Sequence, residues 1–112
     1  MKLIVAVIRP SKLDDVIEAL SSIGVTGFTA TEARGFGHQE GHAQVYQGAE
    51  YKVVSMPRIR IDAAIPDQLV AKTIEAFEKA ARTGRVGDGK IFVSALDQAI
   101  RVRTGETNEA AL

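Results

Sequence analysis

An α+β domain of order β-α-β-β-α-β is predicted by three observations. Two segments repeat apolar residues at helical spacing, four carry β-branched or alternating patterns, and turn residues separate them in that order. Lys2 to Ile8 (KLIVAVI) is a nearly continuous apolar run and reads as a central strand, which Pro10 ends. Ser11 is the expected N-cap of the first helix, with Asp14 three residues on in a capping-box-like position. Leu13, Val16, Ile17, Leu20 and Ile23 form that helix's apolar stripe, and Gly24 its stop. Val25 to Arg34 (VTGFTATEAR) alternates as a second strand. The third lies in Tyr51 to Ile65, where Arg58-Ile59-Arg60-Ile61-Asp62 puts charges on one face and isoleucines on the other. Pro57 calls for an edge position or a bulge. Pro66-Asp67 opens the second helix, with Leu69, Val70, Thr73, Ile74, Phe77 and Ala81 as its stripe and Gly84 as its end. Lys90 to Leu96 is the fourth strand, and IRVRTGE is a short extended piece before a polar tail. This is the ferredoxin-like order: an antiparallel sheet, two helices on one face, and a long loop between strands 2 and 3.

The 112 residues amount to one domain, 1–112. A chain of this size buries only roughly two-thirds of its unfolded surface, so it gains from contacts between subunits. Fourteen basic and fourteen acidic side chains cancel, leaving no global field to attract nucleic acid or an anionic membrane. The absence of cysteine removes disulfides, thiolate metal sites and cysteine nucleophiles together. The apolar N-terminal run is too short for a signal-peptide core or a membrane span. A cytoplasmic protein without membrane insertion is expected.

Two segments exceed what the fold needs. Gly35 to Glu50 (GFGHQEGHAQVYQGAE) joins adjacent strands where about two to five residues would serve. Long loops in compact domains carry function or disorder, so 37–55 is expected to be a mobile interaction loop. Its opening fails the dinucleotide fingerprint, because Glu40 stands where the last glycine belongs. Gly35 and Gly37 still allow close backbone approach to a ligand, and the Gln39 carbonyl oxygen suits magnesium. His38 and His42 lie four apart, which suits a metal on a helix but not in a glycine-rich segment.

The second is TGRVGDGKI, Thr83 to Ile91. Gly84, four residues and Gly89-Lys90 reproduce the spacing of a Walker A loop. Ile91 occupies the place of the magnesium-binding hydroxyl, and the segment runs from helix to strand rather than strand to helix. Two readings remain: a helix stop followed by a tight turn, or an anion nest built on Gly84, Gly87 and Gly89 with Lys90 at its edge. Arg101 and Arg103 share a side if their segment is extended. That makes them either an exposed strand face or a two-guanidinium clamp for phosphate. Ser11, Ser55 and Ser94 lack a nucleophile-elbow context, and no catalytic apparatus is evident. Binding is therefore expected rather than turnover.

Taken together, GFGHQ-x-GH, Y-x-GAEY, TGRVGDGKIFV and IRVRTGE resemble the PII nitrogen-regulatory signalling proteins, over essentially the whole chain. The resemblance implies a homotrimer with ATP or ADP in each intersubunit cleft. It also implies magnesium and 2-oxoglutarate beside ATP, and a long loop that docks on targets such as ammonium channels and nitrogen-metabolism enzymes. By position, it makes Gly35, Phe36, Gly37, Gly87, Asp88, Gly89 and Lys90 nucleotide contacts. Arg101 and Arg103 become contributions from the adjoining subunit, with Thr29 and Asp62 near adenine and ribose. Gln39 becomes the magnesium and 2-oxoglutarate ligand, Arg58 a 2-oxoglutarate residue, and Tyr51 the position uridylylated in some bacterial members. Departures gather around the loop. Arg58 replaces a lysine, His38 an arginine, Glu40 a lysine, Gln47 the arginine associated with plugging an ammonium channel, and Ser11 an aromatic. These mark a divergent paralogue. The competing expectations are a slow ATPase or acylphosphatase-like hydrolase on the same fold, which lacks an evident general base, and an RNA-binding module, which lacks a stacking platform.

Overall fold

The computed structural model describes residues 1–38, 44–46, 49–51 and 53–112, and from 38 to 54 the backbone only. Its elements are β1 (Lys2–Ile8), α1 (Leu13–Ser22), β2 (Thr29–His38), β3 (Gln44–Tyr46), β4 (Ala49–Tyr51), β5 (Val53–Ile65), α2 (Val70–Ala81) and β6 (Lys90–Ala95). Four strands form one antiparallel sheet in the order β2-β5-β1-β6, and β3 pairs with β4 alone. With two helices on one face, this is the ferredoxin-like βαββαβ fold.

Alternation in β1 and β5 builds the core. Ile4, Ala6 and Ile8 and, across the ladder, Ile61, Ala63 and Ile65 are buried against Val16 and Leu20 of α1 and Phe77 and Ala81 of α2. Among the described residues, Thr73 is the one polar residue sealed in that layer, and its hydroxyl donates to the Leu69 carbonyl at 2.8 Å, which offsets its burial. The other face of β1 presents Leu3, Val5 and Val7, half-buried and without a covering helix. A strand apolar on both faces thus has only one of them covered by helices among the described residues.

The first helix stops as its sequence suggests. Gly24 has φ +85°, its N–H reaches the Ser21 carbonyl, and the Val25 N–H reaches the Leu20 carbonyl at 2.9 Å. These are the two bonds of a Schellman motif. Gly24→Ala meets open space but an unfavourable φ, so it should cost about 1 kcal/mol, read as a fall of roughly 4 °C in thermal midpoint.

Five local expectations are corrected, the first at the end of α2, which stops at Ala81 with Arg82 already extended, so that Gly84 is not its stop. Ser11 caps nothing: Pro10–Lys12 form a 3-10 turn, and α1 starts at Leu13 without a side-chain cap. The second strand runs over Thr29–His38 rather than from Val25, because Val25 is consumed in the helix stop and lies 6% exposed in the core. Its glycine-rich end, Gly35 to His38, is strand and not loop, paired with Met56 to Val53. IRVRTGE is not extended: Ile100 bridges Thr107, and between them the chain turns, with Gly105 at φ +75° and its N–H on the Arg101 carbonyl.

Among the described residues, Pro57 sits where β5 has β2 as its only neighbour. The ladder to β1 covers Ile59 to Ile65, whereas the ladder to β2 continues to Val53 without a break in register. Residues 53–58 therefore have one free edge, which tolerates a missing N–H. Of the expected interaction loop 37–55, Gly37 and Ser55 are described in full and the strand residues between them by backbone alone.

Candidate functional site

The two strands at one end of this β2–β5 ribbon and the loop before β6 close around a concavity of about 410 Å³. Gly35, Phe36 and Gly37 come from β2, Arg58 and Met56 from β5, and Val86, Gly87, Gly89 and Lys90 from the loop and the start of β6. The register that places Lys90 opposite Val7 of β1 brings the loop against the sheet. Phe36 (72% exposed) and Val86 (75% exposed) give the rim an apolar character.

Glycine is required by space as well as by conformation. Gly89 has φ +94°, and a Cβ there would stand 1.7 Å from the Val7 carbonyl oxygen. Gly87 has φ +103°, and its missing Cβ leaves room for the ends of Arg58 and Arg9, whose Nη2 atoms lie 2.8 and 3.2 Å from that point. At Gly35, a Cβ would stand 3.2 Å from Arg58 Cγ. The Arg58 side chain is thus laid between the base of the long loop and the glycine loop. It is 9% exposed, and its hydrogen bond goes to the neighbouring Pro57 carbonyl at 2.8 Å. Among the described residues, neither Arg58 nor Lys90 forms an ion pair with a carboxylate. Uncompensated cations around a glycine cradle suit an anion, and backbone N–H groups freed by left-handed glycines suit phosphate oxygens.

Asp88 has another task. Its carboxylate accepts from the Thr83 hydroxyl, from the Thr83 and Gly84 N–H groups at 2.8 Å, and from Arg9 Nε at 3.0 Å. The Thr83 hydroxyl first, then the Thr83 amide, Arg9 and the Gly84 amide hold its carboxyl well below the usual carboxylate range, against desolvation. A depressed folded value means that this carboxylate's contribution is complete above the ordinary 3.8. It is lost only as the pH falls through the lower folded value. Asp88 therefore shapes the loop with its side chain and is not a wall of the concavity.

Other predicted residues lie apart from the cradle. Thr29 and Asp62 are cross-strand partners on the helix-free face, with Asp62 gripped by Arg60 at 3.0 Å. Asp62 is four residues beyond Arg58 along β5, roughly 13 Å at the ordinary rise. Arg101 pairs with Glu106 at 3.2 Å in its own turn, Arg103 is exposed, and neither lines the concavity. Gln39 and His42 lie outside the described residues, as do the side chains of His38 and Tyr51. Among the described residues, no three His, Asp or Glu side chains cluster as a metal site. Arg9 and Thr83 were not legible as site residues. Arg9 lies 79 positions from Asp88, and no local pattern signals that meeting.

The profile of the family described as "Nitrogen regulatory protein P-II" matches residues 1–106. The chain belongs to the P-II family. It is 56% identical to "Nitrogen regulatory protein GlnK" of Escherichia coli (strain K12) over 112 residues, with both chains covered in full. It is 54% identical to the "Nitrogen regulatory protein P-II" of Haemophilus influenzae and 55% identical to that of Rhodospirillum rubrum, again over 112 residues and the whole of each chain. P-II membership makes this a nitrogen-regulatory signal-transduction protein rather than an enzyme. Among the described residues of this P-II chain, no helix is long and apolar enough to cross a membrane.

Proposed function

We propose that this P-II protein is a cytoplasmic homotrimer that binds ATP or ADP in clefts between subunits and reports the bound nucleotide to partner proteins through residues 37–55. The observation that carries this reading is the concavity in which Gly35, Gly37, Arg58, Gly87, Gly89 and Lys90 converge, with two cations that no carboxylate among the described residues neutralises. A di- or triphosphate meets that demand, and the apolar rim at Phe36 and Val86 suits the remainder of a nucleotide or a neighbouring subunit. Arg101 and Arg103 complete the cleft from the adjoining subunit, with Thr29 and Asp62 toward adenine and ribose. The uncovered Leu3, Val5 and Val7 face supports subunit packing.

Magnesium enters with ATP, held by the nucleotide and Gln39. The second anion beside it is 2-oxoglutarate, for which Arg58 offers a bidentate partner to a carboxylate. Tyr51, the last residue of β4, is the proposed uridylylation position. Regulated partners are proteins of nitrogen metabolism or transport. An ammonium channel is the partner that Gln47 calls into question.

The site changes a partner's response only if the ligand contacts differ between two loop conformations. The Arg58 side chain touches both the loop base and the glycine cradle, which provides such a contact. The test is calorimetric titration of the protein with ADP, ATP and magnesium-ATP, the last with and without 2-oxoglutarate. Binding of the nucleotides, tightened by 2-oxoglutarate only when magnesium and ATP are both present, is the expected result. No nucleotide binding at all overturns the reading. Binding indifferent to 2-oxoglutarate restricts the function to adenylate sensing.

A further inference from the structure

We infer that Arg9, outside the concavity, is a positioning residue that locks the Val86–Gly87 peptide so that the Gly87 N–H stays ready for an anion. This rests on the nucleotide-binding reading and names a residue to which neither the sequence motifs nor the cavity walls assign a role.

The backbone of Arg9 is pinned first. It leaves β1 with φ −66° and ψ 138°, Pro10 follows, and its carbonyl accepts from the Lys12 N–H at 3.0 Å. From that anchor the side chain crosses to the glycine loop and makes two bonds with two different nitrogens. Nη2 donates to the Val86 carbonyl at 2.7 Å, and Nε donates to Asp88 Oδ1 at 3.0 Å. The two acceptors flank Gly87 on either side. A guanidinium presents several donors in a rigid plane, so holding both at once restricts how the intervening residue can turn.

Gly87 needs that restraint. A glycine visits both signs of φ, and the peptide before it can flip with little steric penalty. In a trans peptide the C=O and the following N–H point in opposite directions. Fixing the Val86 carbonyl on Arg9 therefore aims the Gly87 N–H away from Arg9. Val86 and Gly87 line the concavity, whereas Arg9 does not. The Thr83 and Gly84 donors close the other end of the loop on Asp88 and come from within the loop itself. Among the described residues, Arg9 alone joins Asp88 to the sheet. An N–H already aimed at an anion avoids the ordering cost on binding, which is where affinity is gained.

The test compares Arg9→Gln and Arg9→Lys with the unaltered protein in two measurements. The first is 15N relaxation of the Gly87 amide in the ligand-free protein, which reads the mobility of that peptide directly, with amide exchange at the buried β1 residues Ile4 and Ala6 as the internal control for global stability. The second is ADP affinity by calorimetry. Arg9→Gln should raise the mobility of the Gly87 amide while leaving Ile4 and Ala6 protected, and should weaken ADP binding roughly tenfold, the scale of one charge-assisted hydrogen bond. Arg9→Lys supplies a single amine for two acceptors, so its affinity should fall between the two. Unchanged Gly87 relaxation in Arg9→Gln overturns the inference, as does loss of protection at Ile4 and Ala6 in the same variant. If the unaltered protein does not bind ADP, the nucleotide reading fails, and the relaxation measurement still decides whether Arg9 locks the loop.

Discussion

Gly89→Ala is expected to lower the thermal midpoint more than any other single change to the glycine loop. The added Cβ would stand 1.7 Å from the Val7 carbonyl oxygen and 2.7 Å from its carbon, both of them backbone atoms of β1. A side chain has rotamers with which to yield; a strand paired on both sides does not. Val7 is opposite Arg60 on one flank and Lys90 on the other, so moving it disturbs two ladders. The left-handed φ of +94° adds backbone strain to the clash. Together these should cost about 3 kcal/mol or more, a fall of roughly 12 °C for a domain of this size at fixed protein concentration. Gly87→Ala is the comparison, since its added Cβ meets the movable ends of Arg58 and Arg9 instead. It should cost about half as much in stability. Equal midpoints for the two variants would remove the steric argument.

Arg58→Met separates binding from stability in the opposite sense. The thioether keeps the stem that lies over Gly35 and removes a charge that is 9% exposed with no carboxylate partner among the described residues. Burying a charge without a counter-ion is unfavourable, so the ligand-free variant should melt at the same temperature or higher, by up to about 1 kcal/mol of added stability. Affinity for ADP and ATP should fall about 10- to 100-fold, because the guanidinium is the most desolvated cation in the cradle. The readout is a pair of thermal melts, with and without saturating ADP. The ligand-induced rise should shrink while the ligand-free midpoint does not. A variant that melts several degrees lower without ligand would mean that the guanidinium holds the fold together.

The elements written in short-range patterns were legible. The stripes ending at Ile23 and Ala81 predicted both helices, because residues three and four apart share a face in any helix. Alternation predicted β5 and the run Lys90 to Leu96 predicted β6, both to within two residues, and the chain order predicted the topology. Legibility failed where one local signal competed with another. Gly35 and Gly37 read as loop residues, yet they lie in β2 because its ladder to β5 continues through His38 and Val53, and at Gly35 a Cβ would press on the Arg58 side chain. Val25 read as the start of a strand, yet the helix stop claims its N–H.

In the site, the residue types were readable and their contacts with one another were not. Gly87, Gly89 and Lys90 do line one concavity with Gly35, Phe36, Gly37 and Arg58. Asp88 was read as part of the phosphate-contacting loop, and the structure adds that its carboxylate closes that loop on Thr83 and Gly84. Arg101 and Arg103 were expected on one side of an extended piece, but a turn separates them and Glu106 holds the first.

By itself, the sequence determined the order of the elements and the family to which the chain belongs. These are properties of spacing within a few residues, or of the motif set as a whole. The tertiary structure alone decided that Arg58 is buried, that the β2–β5 ribbon and the glycine loop enclose one space, and that Arg9 reaches Val86 and Asp88. Those meetings depend on strand register, with Val7 opposite both Arg60 and Lys90. Register is set by packing one apolar face of the whole sheet against two helices, so no stretch of the chain encodes it locally.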